Sequence, residues 1–320
     1  MRRRRLLLLI GSSLGWVLAA HAEPPAVRRI GVLIPSHRAD ETVLQPFREN
    51  LHDLGYIEGR DIQLEIRSAN GRLERLPRLA AELVGKKVDL IAAWMTPSVL
   101  AAKRATTEIP IVMIGAGDPV GTGLVASLAR PGGNITGIAG ETAELAGKNL
   151  EFLKEMLPSL RRAAALCNTP DPFSRPFLQQ VQSAGWTLSV EIVPIMVGDE
   201  KEFGAAFQAM LERQIDGVIV QPSLPLERAA EMALHHRLPA ASPLRPFPDL
   251  GGLMAYVGAP TDASRRAAAF VDEILKGRRP AELPVERPTR FELVVNLKTA
   301  GALGVTVPSD LLVRTDQVIE

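Results

Sequence analysis

The fold is decided by the stretch Arg29-Ile30-Gly31-Val32-Leu33-Ile34, which is followed by an apolar helical face at Leu44, Phe47, Leu51 and Leu54. The first run is typical of a buried strand, and the spacing of the four later residues is typical of an amphipathic helix. The same alternation of strand and helix recurs along the chain. Because such alternation is typical of parallel sheets covered by helices on both faces, the sequence predicts an α/β protein with doubly wound sheets.

Outward from this stretch, the pattern predicts a series of further elements. Strands are predicted over residues 61–66, 88–93, 111–114, 162–166, 188–193, 216–220 and 238–241. Helices are predicted over residues 44–54, 76–85, 97–106, 145–157, 177–184, 203–210, 227–235 and 267–274, with a short one near 124–129. The segment 61–66 alternates strictly between apolar and polar residues, which is typical of a half-exposed edge strand. A break near residues 137–140 divides the elements into two sheets and therefore two domains.

Length and composition agree with two globular domains and exclude several classes of protein. The chain has 320 residues, and domains average about 150. Lys and Arg number 37 against 36 Asp and Glu, so the charge gives no reason to expect nucleic acid as a partner. The single cysteine excludes an internal disulfide, and no cluster of cysteines is present to hold zinc or an iron–sulfur centre. We therefore expect no metal and no cofactor.

The first 22 residues are predicted to be a cleavable signal peptide. Four arginines at positions 2–5 precede an apolar run of 15 residues, and Ala20-His21-Ala22 then supplies the small residues that signal peptidase requires. The run is shorter than the roughly 20 apolar residues that span a bilayer, although an uncleaved anchor is the alternative. No cysteine lies near the cleavage site, so there is no lipobox. We expect a protein that is free in the periplasm, where enzymes consuming ATP or NAD are disfavoured.

Ligands of open parallel sheets bind beyond the carboxyl ends of the strands, where helix N-termini present free amides. The loops in that position contain Thr96-Pro97, which is typical of an N-cap followed by the first helical residue. Amides there could hold a carboxylate and Trp94 could stack on a ligand, or else Thr96 only caps its helix and Trp94 packs in the core. Asp118 could pair with an amine, or it could be a turn residue before Pro119.

No catalytic constellation is found in the sequence. The one Gly-x-Ser-x-Gly match lies at residues 11–15, inside the predicted signal peptide. His235 and His236 are adjacent and cannot chelate a metal from one helix face, and Cys167 ends an apolar strand, where it is expected to be packing. The first strand is not followed by the glycine-rich turn of a dinucleotide site.

Seven short motifs in register carry a family resemblance, which extends from about Arg28 to Ile319. They are Gly55-Tyr56-Ile57-Glu58-Gly59-Arg60, Val88-Asp89-Leu90-Ile91, Thr96-Pro97, Ile109-Pro110-Ile111-Val112, Gly117-Asp118-Pro119-Val120-Gly121, Arg130-Pro131-Gly132-Gly133-Asn134-Ile135-Thr136-Gly137 and Phe291-Glu292-Leu293-Val294-Val295-Asn296-Leu297-Lys298-Thr299-Ala300. The sequence thereby resembles the ABC-transporter substrate-binding protein family that includes tryptophan- and tyrosine-binding members.

The resemblance implies a type I periplasmic-binding fold, in which two lobes are joined by a hinge of three crossings and the ligand lies in the cleft. The first lobe would comprise residues 27–138 with 258–285, and the second 139–257 with 286–320. Amides at Ser36 and Thr96 would hold a carboxylate, Asp118 an amine, and Trp94 or Phe173 the ligand side chain. The full set of expected ligand-binding residues is Ser36, His37, Trp94, Met95, Thr96, Gly115, Asp118, Asn168, Phe173, Ser223 and Ser242.

Two departures from the family limit this transfer. Many members have glycine where this chain has Met95, and many are lipoproteins.

The expected function is capture of a small organic solute, either an amino acid or an aromatic or carboxylate compound, by a monomer that delivers it to a membrane permease with its ATPase. The membrane is expected as a partner only through the permease. A periplasmic subunit that presents the solute to a sensory receptor is the alternative, and a repressor lobe or an enzyme is disfavoured.

Overall fold

The computed structural model describes residues 27–35, 44–140 and 142–320. The predicted signal peptide, residues 1–22, therefore lies outside the described residues. Within the described ranges, no helix is both long enough and apolar enough to cross a membrane.

The first sheet has five parallel strands, in the order β2-β1-β3-β4-β5. The strands are β1 (Arg28–Ile34), β2 (Ile62–Ser68), β3 (Leu90–Trp94), β4 (Ile111–Gly117) and β5 (Ile135–Gly140). The helices between them are α1 (Leu44–Asp53), α2 (Leu76–Gly85) and α3 (Met95–Ala105). The edge position predicted for β2 is confirmed. The short helix predicted near 124–129 is wrong, because the backbone there is folded back on Pro119 by bonds from the amides of Leu124 and Val125.

The second sheet has seven strands, in the order β12-β11-β10-β9-β8-β6-β7. They are β6 (Arg162–Asn168), β7 (Glu191–Val197), β8 (Gly217–Val220), β9 (Ala240–Ala241), β10 (Met254–Gly258), β11 (Phe291–Asn296) and β12 (Gln317–Ile319). The helices are α4 (Thr142–Met156), α5 (Ser174–Leu188), α6 (Phe203–Glu212), α7 (Leu226–His235), α8 (Pro246–Asp249), α9 (Pro260–Leu275), α10 (Leu297–Leu303) and α11 (Ser309–Val313).

The prediction of wholly parallel sheets needs one correction. Strand β11 is antiparallel to β10, and β12 runs parallel to β11, so one end of the second sheet is mixed. The strand predicted at 188–193 also begins later, at Glu191, because α5 continues to Leu188.

The two sheets repeat one architecture. The order β7-β6-β8-β9-β10 in the second sheet matches β2-β1-β3-β4-β5 in the first. In the first sheet, the amide of Arg29 donates to Asp89 Oδ2 at 2.7 Å, and the amide of Asp89 donates to Arg29 O at 2.8 Å. In the second, Arg162 and Asp216 make the same pair of bonds, at 2.9 and 2.8 Å. Each aspartate thus joins the start of its lobe's first strand to the third strand.

Strand β1 is buried on both faces, as its apolar run predicts. Ile30 and Val32 pack in one hydrophobic cluster with α1 and α9, whereas Leu33 packs in a second cluster with α2 and α3. Helix α9 follows β10 of the second sheet yet covers the first sheet. The chain therefore passes between the sheets three times, after β5, after β10, and again before β11, where Glu286 forms a bridge with Ile138.

The single cysteine lies in the core of the second sheet. Cys167 is fully buried, and burial, with a smaller effect of the nearby Asp171 charge, raises the pKa of its thiol to about 12. At pH 8 only about one thiol in ten thousand is then ionised. We expect no reaction of the folded protein with Ellman's reagent, and release of one thiol equivalent after denaturation in guanidinium chloride. A stoichiometric reaction of the native protein at the rate of a free thiol would contradict this burial.

Candidate ligand-binding cleft

A cavity of about 870 Å³ lies between the carboxyl edges of the two sheets. This volume is in the range of small-molecule sites in proteins. The segment that follows β2 forms one wall, and the segments that follow β6, β7 and β8 form the other. The lining residues are Asn70, Gly71, Arg72, Leu73 and Glu74 from the first lobe, and Asn168, Pro170, Gly198, Asp199, Glu200, Lys201, Leu224, Pro225, Arg228 and Glu231 from the second.

The first-lobe wall is a tight turn fixed to the end of β1. The amides of Ala69 and Gly71 donate to Ile34 O and Pro35 O at 2.9 and 2.8 Å. Asn70 has a left-handed backbone, with φ of 52°, a conformation that asparagine tolerates better than most residues. The turn presents the exposed side chain of Arg72 to the cavity. Its guanidinium makes no ion pair within the described part of the chain, so it is available to an anionic group.

The second-lobe wall rests on a buried polar network centred on Gln221, which is fully buried. Its Oε1 accepts from the amide of Asn168 at 2.8 Å and lies 2.9 Å from the hydroxyl of Ser174. Its Nε2 donates to Asp171 Oδ2 at 2.9 Å and to Ser223 Oγ at 3.3 Å. The amide of Gln221 therefore has a fixed orientation, because each of its two ends faces groups of the opposite kind.

Asp171 is the ionisable member of this network and is 3% exposed. Its Oδ1 accepts from the amide of Phe173 at 2.9 Å, and its Oδ2 accepts from Ser223 Oγ at 2.5 Å as well as from Gln221. Burial raises the pKa of Asp171, and the three hydrogen bonds offset part of that rise. Perturbed carboxyl groups beside a cleft are frequent at functional sites.

Asn168 connects the network to the cavity that it lines. Its Nδ2 donates to the carbonyl oxygen and the hydroxyl of Ser223, at 3.0 and 3.2 Å. Of the predicted ligand-binding residues that the structure describes, Asn168 is the one among the lining residues. Ser223 lies directly behind it and is half-buried.

The turn between β3 and α3 differs from its prediction. Thr96 was expected to be an N-cap and Pro97 the first helical residue, but the helix begins at Met95 with Trp94 as its cap residue. The Thr96 hydroxyl instead accepts from the amide of Gly117 at 3.0 Å and lies 3.3 Å from Gly117 O. This prediction is wrong because the hydroxyl is held by the end of the neighbouring strand β4, a partner that is remote in sequence.

Met95 stands at a position that suits glycine. Its φ is 60°, a left-handed conformation that costs a residue with a side chain about 1 kcal/mol or more. The half-buried side chain packs against the cluster that contains Ile30 and Phe47, and this packing offsets the strain.

The two aromatic side chains expected to contact ligand lie in hydrophobic cores. Trp94 is 8% exposed, and its ring meets that of Phe47 edge to face with centroids 5.3 Å apart. Phe173 is buried, and its ring lies 6.1 Å from that of Phe177. Neither Trp94 nor Phe173 lines the cavity. Both rings pack against other residues of the hydrophobic core.

Asp118 acts as a turn residue. It has a φ of 38°, and its Oδ1 accepts from the amide of Gly121 at 2.9 Å. A Cβ at Gly121 would lie 2.7 Å from Asp118 Cγ, so a larger residue there would displace the Asp118 carboxylate from this bond. Gly115, with a φ of 71°, lies at the shift in register between β4 and β5.

Ser242 is fully buried, and its hydroxyl donates to Val220 O at 2.8 Å, which joins the ends of β8 and β9. Ser36 and His37 lie outside the described residues.

Sequence reasoning missed the wall at 70–74 and the buried Asp171. The signal for the first was Asn70-Gly71, a turn dipeptide at the carboxyl end of an edge strand.

Two sheets of matching strand order, three chain crossings and a cleft between their carboxyl edges define a solute-binding protein of the type I periplasmic-binding fold. The chain belongs to the ABC transporter substrate binding protein family, whose model matches residues 29–319. This is a family of binding proteins and not of enzymes.

Similar proteins agree with this assignment. A tyrosine-binding protein of Clostridioides difficile (strain R20291) is 26% identical over 283 residues, which are 86% of this chain and 81% of that protein. A Streptococcus pneumonia protein solved in complex with L-Trp has a TM-score of 0.85 at 23% identity, covering 92% of this chain and 100% of that one. A conserved domain protein of Vibrio cholerae has a TM-score of 0.85 at 24% identity, covering 91% and 99%. At this identity the two solved structures show the shared fold.

Proposed function

We propose that this protein is the periplasmic solute-binding component of an ABC importer. It captures a small organic solute, either an amino acid or an aromatic or carboxylate compound, in the cleft and delivers it to a membrane permease driven by an ATPase. The observation that carries the proposal is the 870 Å³ cavity, lined from both lobes and backed by the Gln221 network. The tyrosine-binding relative supports an amino acid as the ligand.

The proposed mechanism is closure of two lobes around the solute. The lobes are taken as residues 27–138 with 258–285 and 139–257 with 286–320. A solute that contacts both walls favours the closed arrangement by its differential affinity for it. The closed form then docks on the permease as a monomer. Before cleavage of residues 1–22, the leader directs export.

The amides predicted to bind a carboxylate keep their place in the proposal. Amides at Thr96 and Ser36 are proposed to hold a carboxylate once the lobes close. Asp118 is a weaker candidate for the amine, because its carboxylate already accepts from Gly121 within its own turn. A complex structure with the ligand carboxylate elsewhere would remove the Thr96 and Ser36 assignment.

The experiment that tests the proposal is thermal melting of the mature chain, residues 23–320, against amino acids, aromatic acids and other small solutes. A ligand that binds only the folded state raises the melting temperature, by an amount that grows with its concentration relative to Kd. We expect a saturable rise with at least one amino acid or aromatic acid. A melting temperature that no solute raises would contradict the proposal.

Tryptophan fluorescence reports on Trp94 of the first lobe once the exposed Trp186 is replaced. The mature chain contains Trp94, which is 8% exposed, and Trp186, which is 88% exposed. We expect Trp186→Phe to leave a blue-shifted emission that acrylamide quenches weakly, because Trp94 is shielded from water. Trp94→Phe is the matched control and should leave a red-shifted, strongly quenched emission. Equal quenching of the two variants would contradict the placement of Trp94.

The alternative function is presentation of the same solute to a membrane receptor rather than to a permease. Both roles need the same cleft, so the neighbouring genes discriminate between them. Permease and ATPase genes beside this one would favour import, and a receptor kinase gene would favour sensing.

A further inference from the structure

We propose, resting on the function proposed above, that the second-lobe wall of the cleft is built to receive an ammonium group of the solute. Asn168 Oδ1 is its hydrogen-bond acceptor, and Asp171 is the counter-charge behind it. The solute is then an amine-bearing compound, such as an amino acid, rather than a simple carboxylic acid. The proposal depends on the orientation of one amide and on the charge state of one buried carboxyl group.

The orientation of the Asn168 amide is determined by its partner. Ser223 O is a carbonyl oxygen and can only accept, so the atom 3.0 Å from it must be Nδ2. The opposite end of the amide, Oδ1, accepts no hydrogen bond from any residue that the structure describes. Since Asn168 lines the cavity, Oδ1 is an acceptor held in place for a donor that comes from the solute.

The geometry around Asp171 is that of an ionised carboxylate. Both oxygens face donors, namely the amide of Phe173 on Oδ1 and the side chains of Gln221 and Ser223 on Oδ2. Ser223 Oγ already faces two N–H donors, Asn168 Nδ2 and Gln221 Nε2, so its own hydrogen is directed at Asp171 Oδ2, and a carboxyl group that only accepts suits this arrangement. Among the described residues, no cation forms an ion pair with this carboxylate. A buried charge without a cation is costly, and a ligand ammonium beside Asn168 would supply the missing positive charge.

A purely local role does not account for the whole arrangement. Asp171 precedes helix α5, and its Oδ1 bond to the amide of Phe173 orders the turn into that helix. Asparagine would make the same bond, because its own oxygen can accept it. The second oxygen is directed instead at Gln221 and Ser223, which support Asn168 at the cavity. The negative charge of Asp171 therefore acts on the part of the network that supports Asn168 at the cavity.

Other charged groups on this wall do not oppose the assignment. Arg228 is paired with Glu231 at 2.7 Å, and the exposed Lys201 is screened by water. Asp199 is exposed and accepts from the amide of Lys201 at 2.7 Å. Asp310 carries the same charge as Asp171 but is an exposed residue of α11 that does not line the cavity, and it is therefore the matched control.

The test compares amines with their deaminated analogues by isothermal titration calorimetry on the mature chain. The probes are L-tyrosine and L-tryptophan against 3-(4-hydroxyphenyl)propionate and indole-3-propionate. We expect the wild-type protein to bind an amino acid at least about tenfold more tightly than its analogue, since the analogue cannot make the charged hydrogen bond to Asn168 Oδ1. In Asp171→Asn the amino-acid affinity should fall about tenfold while that of the analogue stays within about threefold, and Asp310→Asn should leave both unchanged.

Asn168→Ala provides a second test that does not depend on how Asp171→Asn folds, and it should abolish the preference for the amine. Equal wild-type affinity for amine and analogue would overturn the proposal, as would an equal loss of both in Asp171→Asn or a preference that Asn168→Ala retains. If the protein binds only solutes without an amine, the proposed function stands and this inference fails. If no solute in the melting experiment binds, both fail.

Discussion

Replacement of Gly137 by alanine is expected to lower the free energy of unfolding by at least about 3 kcal/mol. Gly137 is a buried residue of β5 with a φ of 126°. An alanine Cβ would lie 2.7 Å from Met113 N and nearer still to Met113 O, in the adjacent strand β4. Backbone atoms of a paired strand cannot move aside, so the strain of the φ value and the overlap both destabilise the folded state. Urea denaturation at 25 °C measures the loss.

Gly133→Ala is the matched control for Gly137→Ala. Gly133 also has a positive φ, of 78°, but a Cβ there would meet no atom within 4 Å. Only the left-handed conformation is then penalised, at about 1 kcal/mol. If the two variants lose equal amounts of stability, the contact of β5 with β4 is not the cause of the loss in Gly137→Ala.

Gln221→Ala is expected to cost about 3 kcal/mol of stability, since it leaves a buried amide without its acceptor and removes a donor from a buried carboxyl group. The substitution removes the acceptor of the Asn168 amide and one of the two side-chain donors to Asp171. The desolvated carboxylate of Asp171 is stabilised less, and the Asn168 loop loses its support. We also expect solute affinity to fall by at least about tenfold, because the lining residue Asn168 is no longer held. The same urea titration and calorimetry measure both effects.

Gln208→Ala is the control for Gln221→Ala. Gln208 is an exposed residue of α6, and its side chain donates to Glu212 at 3.3 Å on the helix surface. Surface substitutions of this kind change stability by about 0.5 kcal/mol or less. A Gln221→Ala protein as stable as this control would contradict the central place of Gln221 in the network.

The strand–helix alternation could be predicted because it is written in local periodicity. The apolar run at Arg28–Ile34 and the helical face at Leu44 and Phe47 appear in the structure where the sequence places them. The helix near 124–129 failed because local composition resembled a helix while long-range bonds to Pro119 formed a turn instead. Antiparallel pairing of β11 also escaped prediction, since the direction of a strand depends on where the chain returns and not on its own residues.

The candidate site was only partly predictable. Asn168 was found because it ends a strand at the carboxyl edge, where ligands of such sheets bind. Thr96 was assigned to its own helix because capping is a local pattern, yet its hydroxyl is bonded to Gly117, 21 residues away. Asp171 gave no signal, because a lone aspartate between prolines is typical of a surface turn and its burial depends on Gln221 and Ser223, about 50 residues further on.

The sequence by itself determined the family, the two sheets and the edge of each sheet where a ligand would bind, since periodicity and short motifs are properties of contiguous residues. The tertiary structure alone decided which side chains line the cleft and which are buried. It moved Trp94 and Phe173 into cores and joined Asn168, Asp171 and Gln221 into one network. The physical reason is that burial and hydrogen-bond partners are set by residues brought together from distant strands, and those partners fix the charge and orientation of the groups that meet a solute.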